Sequence, residues 1–420
     1  MREDFMHYIW RFKLLHSFDL KTVNHQKIEI LNFGEFTQKQ GPDFFNALLK
    51  IDNQLWAGNI EMHLKASDWY IHNHEKDSNY NNVILHVVWE YDVDVFYPNN
   101  QKIPVLVLQD YVAKNVIQKY TEIASNSGFI PCQNQINLVP NHIWNFYKER
   151  LFLERLENKS KLIQNYATTF QSNWDQITFI TLSKAFGLNG NGEIFEQMAL
   201  QIPFSVFLKV RSSNVLLEAL FFGMLNMLPS NSIDPYEKEL VIQFDYLRHK
   251  FNLQPLANVP SFYKHRPDNF PTIRLSQLAN LFASKSHLFD QICNANKSED
   301  LYEIFQISTT TYWNTHFTFQ SESKSKIKKT SQAFIQLIII NSVIPLVYSY
   351  NKSINKENID DLIHLVEFFP PENNNTINLF NKLQLPIQSA FDTQALLQLK
   401  KNYCDLFRCL HCVIGKHLIQ

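Results

Sequence analysis

Residues 41–65, GPDFFNALLKIDNQLWAGNIEMHLK, decide the fold of the N-terminal part of the chain. They read as two extended runs, 45–51 and 55–65, joined by the turn residues Asp52, Asn53 and Gln54 into a β-hairpin. Side chains of a strand alternate between its two faces, so Glu61, His63 and Lys65 project from the second strand on one side. Asp43 follows the turn signal Gly41-Pro42 at the entry to the hairpin, within reach of that side. One polar face between residues 41 and 86 is therefore the expected seat of any chemistry.

Reading outward, residues 4–16 place Phe5, Ile9, Phe12 and either Leu15 or His16 at helical spacing, so a short amphipathic helix opens the fold. Further strands are expected at 28–31, 83–90 and 105–108, separated by turn signals at Gly34, Asn81-Asn82 and Pro98-Asn99-Asn100. After about Pro140 the periodicity lengthens. Helices are expected at 144–166, 174–186, 216–228, 236–251, 273–282, 327–350 and 393–407, with connections near 128–140, 229–235, 255–271 and 370–375. The pattern carries no internal repeat. It predicts an α+β fold: an N-terminal α/β sheet module over 1–125, followed by a mostly α-helical body over 126–420.

Composition narrows the function classes. The 420 residues are 45% hydrophobic and 19% charged, enough apolar material for one or two large cores. Nine glycines, well under the average usage of about 7%, and the absence of GxGxxG or GxxxxGK[ST] exclude the glycine-rich nucleotide-binding designs. A net charge of -1 gives no global field for polyanions, so a nucleic acid would need a local patch. The charged opening MREDFMHYIWRF does not read as a secretory signal. Residues 334–350 are interrupted by Gln336, Asn341, Ser342, Pro345 and Ser349 and fall short of the roughly 20 apolar residues of a spanning helix, so they read as a buried helix. A cytoplasmic protein with no membrane span is expected, its five cysteines reduced or metal-bound.

Two carboxylates, Asp43 and Glu61, beside His63 and Lys65 are what metal-dependent phosphodiester cleavage needs: oxygen ligands for Mg²⁺ or Mn²⁺, and a neighbour that orients the attacking water. The connection after the hairpin, ASDWYIHNHEKDSNY, adds His72 and His74, and the next strand, VILHVVWE, contains His86. With His63 these imidazoles also make a ligand set for Zn, Mn or Fe. Plainer readings stand beside each: Asp43 as a turn residue, His86 as a hydrogen-bonded core histidine, and the connection as a solvated loop.

The C-terminal segment carries Cys404, Cys409 and Cys412 in C-x4-C-x2-C spacing. Three thiolates suit Zn or an iron–sulfur cluster, with Cys132 the first candidate for a fourth ligand and His417 the second. The alternative is that these cysteines are small apolar residues of a final buried helix. Lys264-His265-Arg266 through Arg274 is the best local basic element; Arg266 and Arg274 are candidates for phosphate contact near a helix start, or for a salt bridge between helices.

The order helix, hairpin with Pro42-Asp43 at its entry and Glu61-x-His63 on its second strand, then helix and strand, resembles the PD-(D/E)xK nuclease superfamily. That resemblance implies a restriction-endonuclease-like sheet, with Asp43 and Glu61 as metal ligands. The lysine slot is held by His63, with Lys65 two residues on. Cysteine-bound iron–sulfur clusters occur beside the catalytic domain in some members. More broadly, GPDFFNA, LWAGNIEMH, SDWYIHNH, NNVILHVVWE, FGMLNML, RPDNFPTIRLSQLA, YWNTHF, INSVIPL, PPENN and TQALLQLK resemble, over essentially the whole chain, a bacterial family known as domain of unknown function 2851. Three functions follow as expectations: a metal-dependent nuclease acting on nucleic acid, an inactive nuclease-like binding or scaffold protein, and a hydrolase whose metal is held by His63, His72, His74 and His86.

Overall fold

The computed structural model describes residues 1–37, 41–229, 231–295, 297–319, 321–356 and 359–420. Helix α1, Glu3–Arg11, opens the chain and buries Phe5, Met6, Tyr8, Ile9 and Trp10. It stops before Lys13, which takes a left-handed φ of 55°, so the run expected to reach residue 16 is cut short. Strands β1, Leu20–Lys21, β2, Lys27–Asn32, β3, Glu35–Phe36, β4, Phe44–Ile51, and β5, Gln54–Lys65, follow. A crossover containing helix α2, Asp68–Ile71, leads to β6, Val83–Glu90, and β7, Val105–Val107; helix α3, Lys114–Ser125, comes after them.

The sheet runs β1-β2-β4-β5-β6-β7, with β3 paired to β4. Strands β2, β4 and β5 form an antiparallel meander, while β6 lies parallel to β5 with Glu61 opposite His86. That parallel pair is the reason a crossover is needed between them. Both central strands are covered on both sides. Residues 58–63 of β5 and 83–88 of β6 are buried without interruption, as strands between two packed layers should be. Trp69 and Tyr80 of the crossover close over Val83, Val88 and Val105.

The chain divides into two compact units, 1–147 with 399–420, and 148–398. This division differs from the sequence-based one at both ends of the helical body. The first unit keeps α3 and the loop after it, and it regains the C-terminal segment, because the short helix Val413–Ile419 packs on α3 and the turn Cys409–His411 packs on α1.

The second unit is helical, with a core in which Phe179, Phe207 and Phe282 pack ring on ring. Trp174–Phe186 has the bounds that its periodicity predicts. The apolar run at 334–350 belongs to Gln332–Ser353, long and apolar enough to cross a membrane but mostly buried inside the protein. Arg274, expected at a surface near phosphate, lies in this core instead. Its guanidinium stacks over the Phe334 ring and donates to Gln277 and Asn269. Arg266 remains exposed, at the start of the turn Pro267–Asn269.

Candidate metal centre

The hairpin delivers its polar residues through one irregularity. Between Phe44 and Ala47 the pairing of β4 with β5 slips, and Asn46 takes a left-handed φ of 57°. Such a bulge re-aims the residues that precede it. Asp43, just before β4, is thereby tied to β5: its Oδ2 accepts from the Met62 amide at 2.9 Å, and its own amide donates to Glu61 Oε2 at 3.1 Å. The two carboxylates expected to share a site therefore lie next to each other.

Glu61 is 5% exposed and its Oε1 faces two imidazoles, His63 Nε2 at 3.5 Å and His74 Nε2 at 3.4 Å. His72 and His74 reach the same place by a tight reversal. His72 caps α2, Asn73 takes a left-handed φ of 58°, and His74 begins the next turn, its ring stacked 3.7 Å from Tyr80. Asparagine adopts that conformation at low cost. The ligand atoms of His63, His72 and His74 all lie within 4.8 Å of one another.

His86, read with a core histidine as its plainer alternative, is wholly buried and lies behind His63, with His86 Nε2 2.8 Å from His63 Nδ1. When His63 donates its Nδ1–H to His86, His63 Nε2 is left with a free lone pair facing Glu61 and His72, as in a ligating histidine oriented from behind. Burial, reinforced by the neighbouring histidines, pushes His63 down to about 2 and His86 to about 3, so both rings are neutral, the ligating form.

A second cluster adjoins this one and was not legible as a site in the sequence. Glu3 and His7, one turn apart on α1, face Asp43, and the ligand atoms of the three lie within 4.8 Å of one another. His7 Nε2 is 3.1 Å from Asp43 Oδ2. The only sequence signal was their four-residue spacing, which any amphipathic helix shares.

Charges respond to this crowding. Burial and the charge of Asp43 push Glu61 up to about 9, and the same two causes raise Glu3 to about 7. For His7 burial disfavours the charged form, but the hydrogen bond and charge of Asp43, with Glu3 and Glu61 beyond, outweigh it and raise its pKa. Carboxylates that raise one another are relieved by a cation placed between them. The donors form two adjoining groups, Glu3, His7 and Asp43, and His63, His72 and His74, with Glu61 facing the second. Donors of these types fit a divalent ion, the imidazoles favouring Mn²⁺, Fe²⁺ or Zn²⁺ and carboxylate oxygens adequate for Mg²⁺.

Lys65 does not join the site. It leaves β5 past the buried segment, half-exposed, with Nζ 3.8 Å from Glu90 Oε2. The four cysteines Cys132, Cys404, Cys409 and Cys412 line one cavity elsewhere in the same unit. Arg266 belongs to the other unit.

The sequence profile of a family described as "Protein of unknown function (DUF2851)" matches residues 3–375. No curated protein and no solved structure matches the chain.

Proposed function

The chain belongs to the DUF2851 family, whose description leaves its activity open, and from its site we propose that it is a divalent-metal-dependent phosphodiester hydrolase, a nuclease, with its centre at Asp43 and Glu61. The observation that carries this reading is the juxtaposition of Asp43 and Glu61 across the hairpin, with Glu3 and His7 beside Asp43 and neutral His63 beside Glu61. It is also supported by the order of elements: α1, the meander ending in β5, a helical crossover and the parallel strand β6, the succession that the resemblance to PD-(D/E)xK nucleases implies.

A bound divalent ion would polarise the phosphoryl oxygens and acidify a water. The residues supply the rest. Asp43 and Glu61 would hold the ion, with Glu3 beside Asp43, and His63, backed by His86, would offer Nε2 to the ion or to the attacking water. His7, its Nε2 3.1 Å from Asp43 Oδ2 and its pKa raised by that carboxylate, would serve as proton donor to a leaving oxygen. Lys65 has no part in this arrangement, so the role that lysine plays in the resemblance falls to the histidines.

The test is cleavage of plasmid and single-stranded DNA and of RNA with Mn²⁺, Mg²⁺ and Zn²⁺ in turn, comparing the wild type with Asp43→Asn and Glu61→Gln. Turnover should fall by about 10²-fold or more in each variant, the scale of a lost catalytic group. Equal rates in all three proteins would overturn the assignment. A second reading is favoured by the compactness of His63, His72 and His74: a hydrolase whose metal sits on the histidines alone. It predicts stoichiometric metal that survives Asp43→Asn and is lost in His63→Ala.

A further inference from the structure

Four of the five cysteines line one cavity of the first unit, from stretches far apart in the chain. Cys132 follows Pro131 in the loop after α3. Cys404 ends the π-helical turn Lys400–Cys404, Cys409 opens the single turn Cys409–His411, and Cys412 caps the final helix Val413–Ile419. The alternative in which three cysteines sit on one apolar helix is thus not what the chain does. Helix Ala390–Leu399 gives way to a π turn and then breaks, with Phe407 at a left-handed φ of 51°, and the break turns all three toward Cys132.

The cavity they line is walled by Pro131, Leu399, Tyr403 and Ile414, and none of its lining residues is charged. All four are free thiols, three of them buried. One backbone feature folds Cys409 against the final helix. A Cβ on Gly415 would stand 2.2 Å from the Cys409 carbonyl oxygen, so only glycine lets the Cys409 turn fold onto the final helix. Packing alone does not ask for four cysteines around one cavity, since alanine or valine fills a dry space as well.

We propose that Cys132, Cys404, Cys409 and Cys412 are the ligands of a structural Zn²⁺ that ties the C-terminal segment to the loop at 130–132. C-x4-C-x2-C with a distant fourth cysteine supplies the four thiolates of a tetrahedral structural site, at Zn–S distances of about 2.3 Å. Binding exchanges four thiol protons for one dication, leaving a net charge of -2. The site is independent of the chemistry proposed for Asp43 and Glu61. Its work is to hold the C-terminal segment beside α1 and α3.

The test uses the full-length protein. Zinc per chain is measured by elemental analysis, release is followed while a mercurial titrates the thiols, and Co²⁺ replaces the native metal. Expected are about one thiol-releasable zinc per chain, retained in His63→Ala and Cys293→Ser and lost in Cys132→Ser and Cys404→Ser. The Co²⁺ protein should show a thiolate-to-metal charge-transfer band, which nitrogen and oxygen ligands at the histidine cluster do not give. Gly415→Ala should weaken the zinc without removing a ligand. Wild-type protein without thiol-releasable zinc and without that band overturns the proposal whether or not any variant folds. The visible absorption of an iron–sulfur cluster, or a disulfide among these cysteines in the purified protein, overturns it equally.

Discussion

Two buried glutamates, one in each unit, are treated in opposite ways. Glu218 in the helical unit is wholly buried and saturated: Oε1 accepts from Ser276 at 2.6 Å and Thr310 at 2.9 Å, and Oε2 from Tyr236 at 2.8 Å and Trp313 at 3.0 Å. Glu61 in the sheet unit accepts the Asp43 amide, and otherwise faces two imidazoles and a neighbouring carboxylate. Burial raises both carboxyls, but at Glu218 four donors oppose the rise, whereas at Glu61 the charge of Asp43 adds to it. A saturated buried carboxylate fastens helices together. Glu61 has no such saturation, and His74 Nε2 is buried beside it without a hydrogen-bond partner, which under the proposed function leaves room for a cation.

The comparison can be broken most forcefully at Glu218. Glu218→Ala strands four buried donors and should cost about 3–5 kcal/mol, the scale of breaking a buried charged network, read as a large shift in the urea midpoint with no change in metal affinity. A shift no larger than that of a surface substitution would mean that Glu218 is no anchor.

At Glu61 the effect has the opposite sign. Its folded pKa, about 9, lies above the unfolded carboxylate value of 4.5. Metal-free protein therefore has this contribution in full below pH 4.5 and loses it as pH rises from there toward 9, because the unfolded chain sheds the proton first. Glu61→Gln removes that loss. In the presence of a chelator its melting temperature should exceed that of the wild type at pH 8 and approach it at pH 5, by about 2–4 °C for each kcal/mol. Saturating divalent metal at about 100 times its dissociation constant should reverse the order, stabilising the wild type by about 2.7 kcal/mol. Melting curves with and without metal decide both points.

The smallest effect is expected from Lys65→Ala. Lys65 pairs with Glu90 in solvent, a type of pair worth at most about 1 kcal/mol, and it stands outside the site. Unfolding and cleavage should both stay close to wild type. A large loss of cleavage would return lysine to the mechanism and recast His63 as a bystander.

Strand positions were legible where the period of two is clean: β6 has the bounds its sequence predicts, and β4 and β5 differ from theirs by one residue. Helices that bury most of their surface were harder. Leu188–Gln201 falls where no helix was expected and contains the string LNGNGE, yet Asn191 is buried and exchanges hydrogen bonds with the Ser261 backbone, 70 residues away. Those bonds meet the polar demand that would otherwise break the helix there. The same limit hid Glu3 and His7, whose spacing says helix face and nothing about what the face meets.

The sequence by itself determined which residues share a strand face, since that depends only on chain geometry: Glu61 and His63 had to lie on one side of β5. Tertiary structure decided which of them matter. The bulge at Asn46 ties Asp43 to Glu61, the parallel register sets His86 beside this pair, and the emergence of β5 from its covering layers leaves Lys65 in solvent. The return of the C-terminal segment gives the three late cysteines their fourth partner. Local periodicity is a property of a few neighbouring residues, whereas a binding site is an agreement among distant ones, and only packing brings those together.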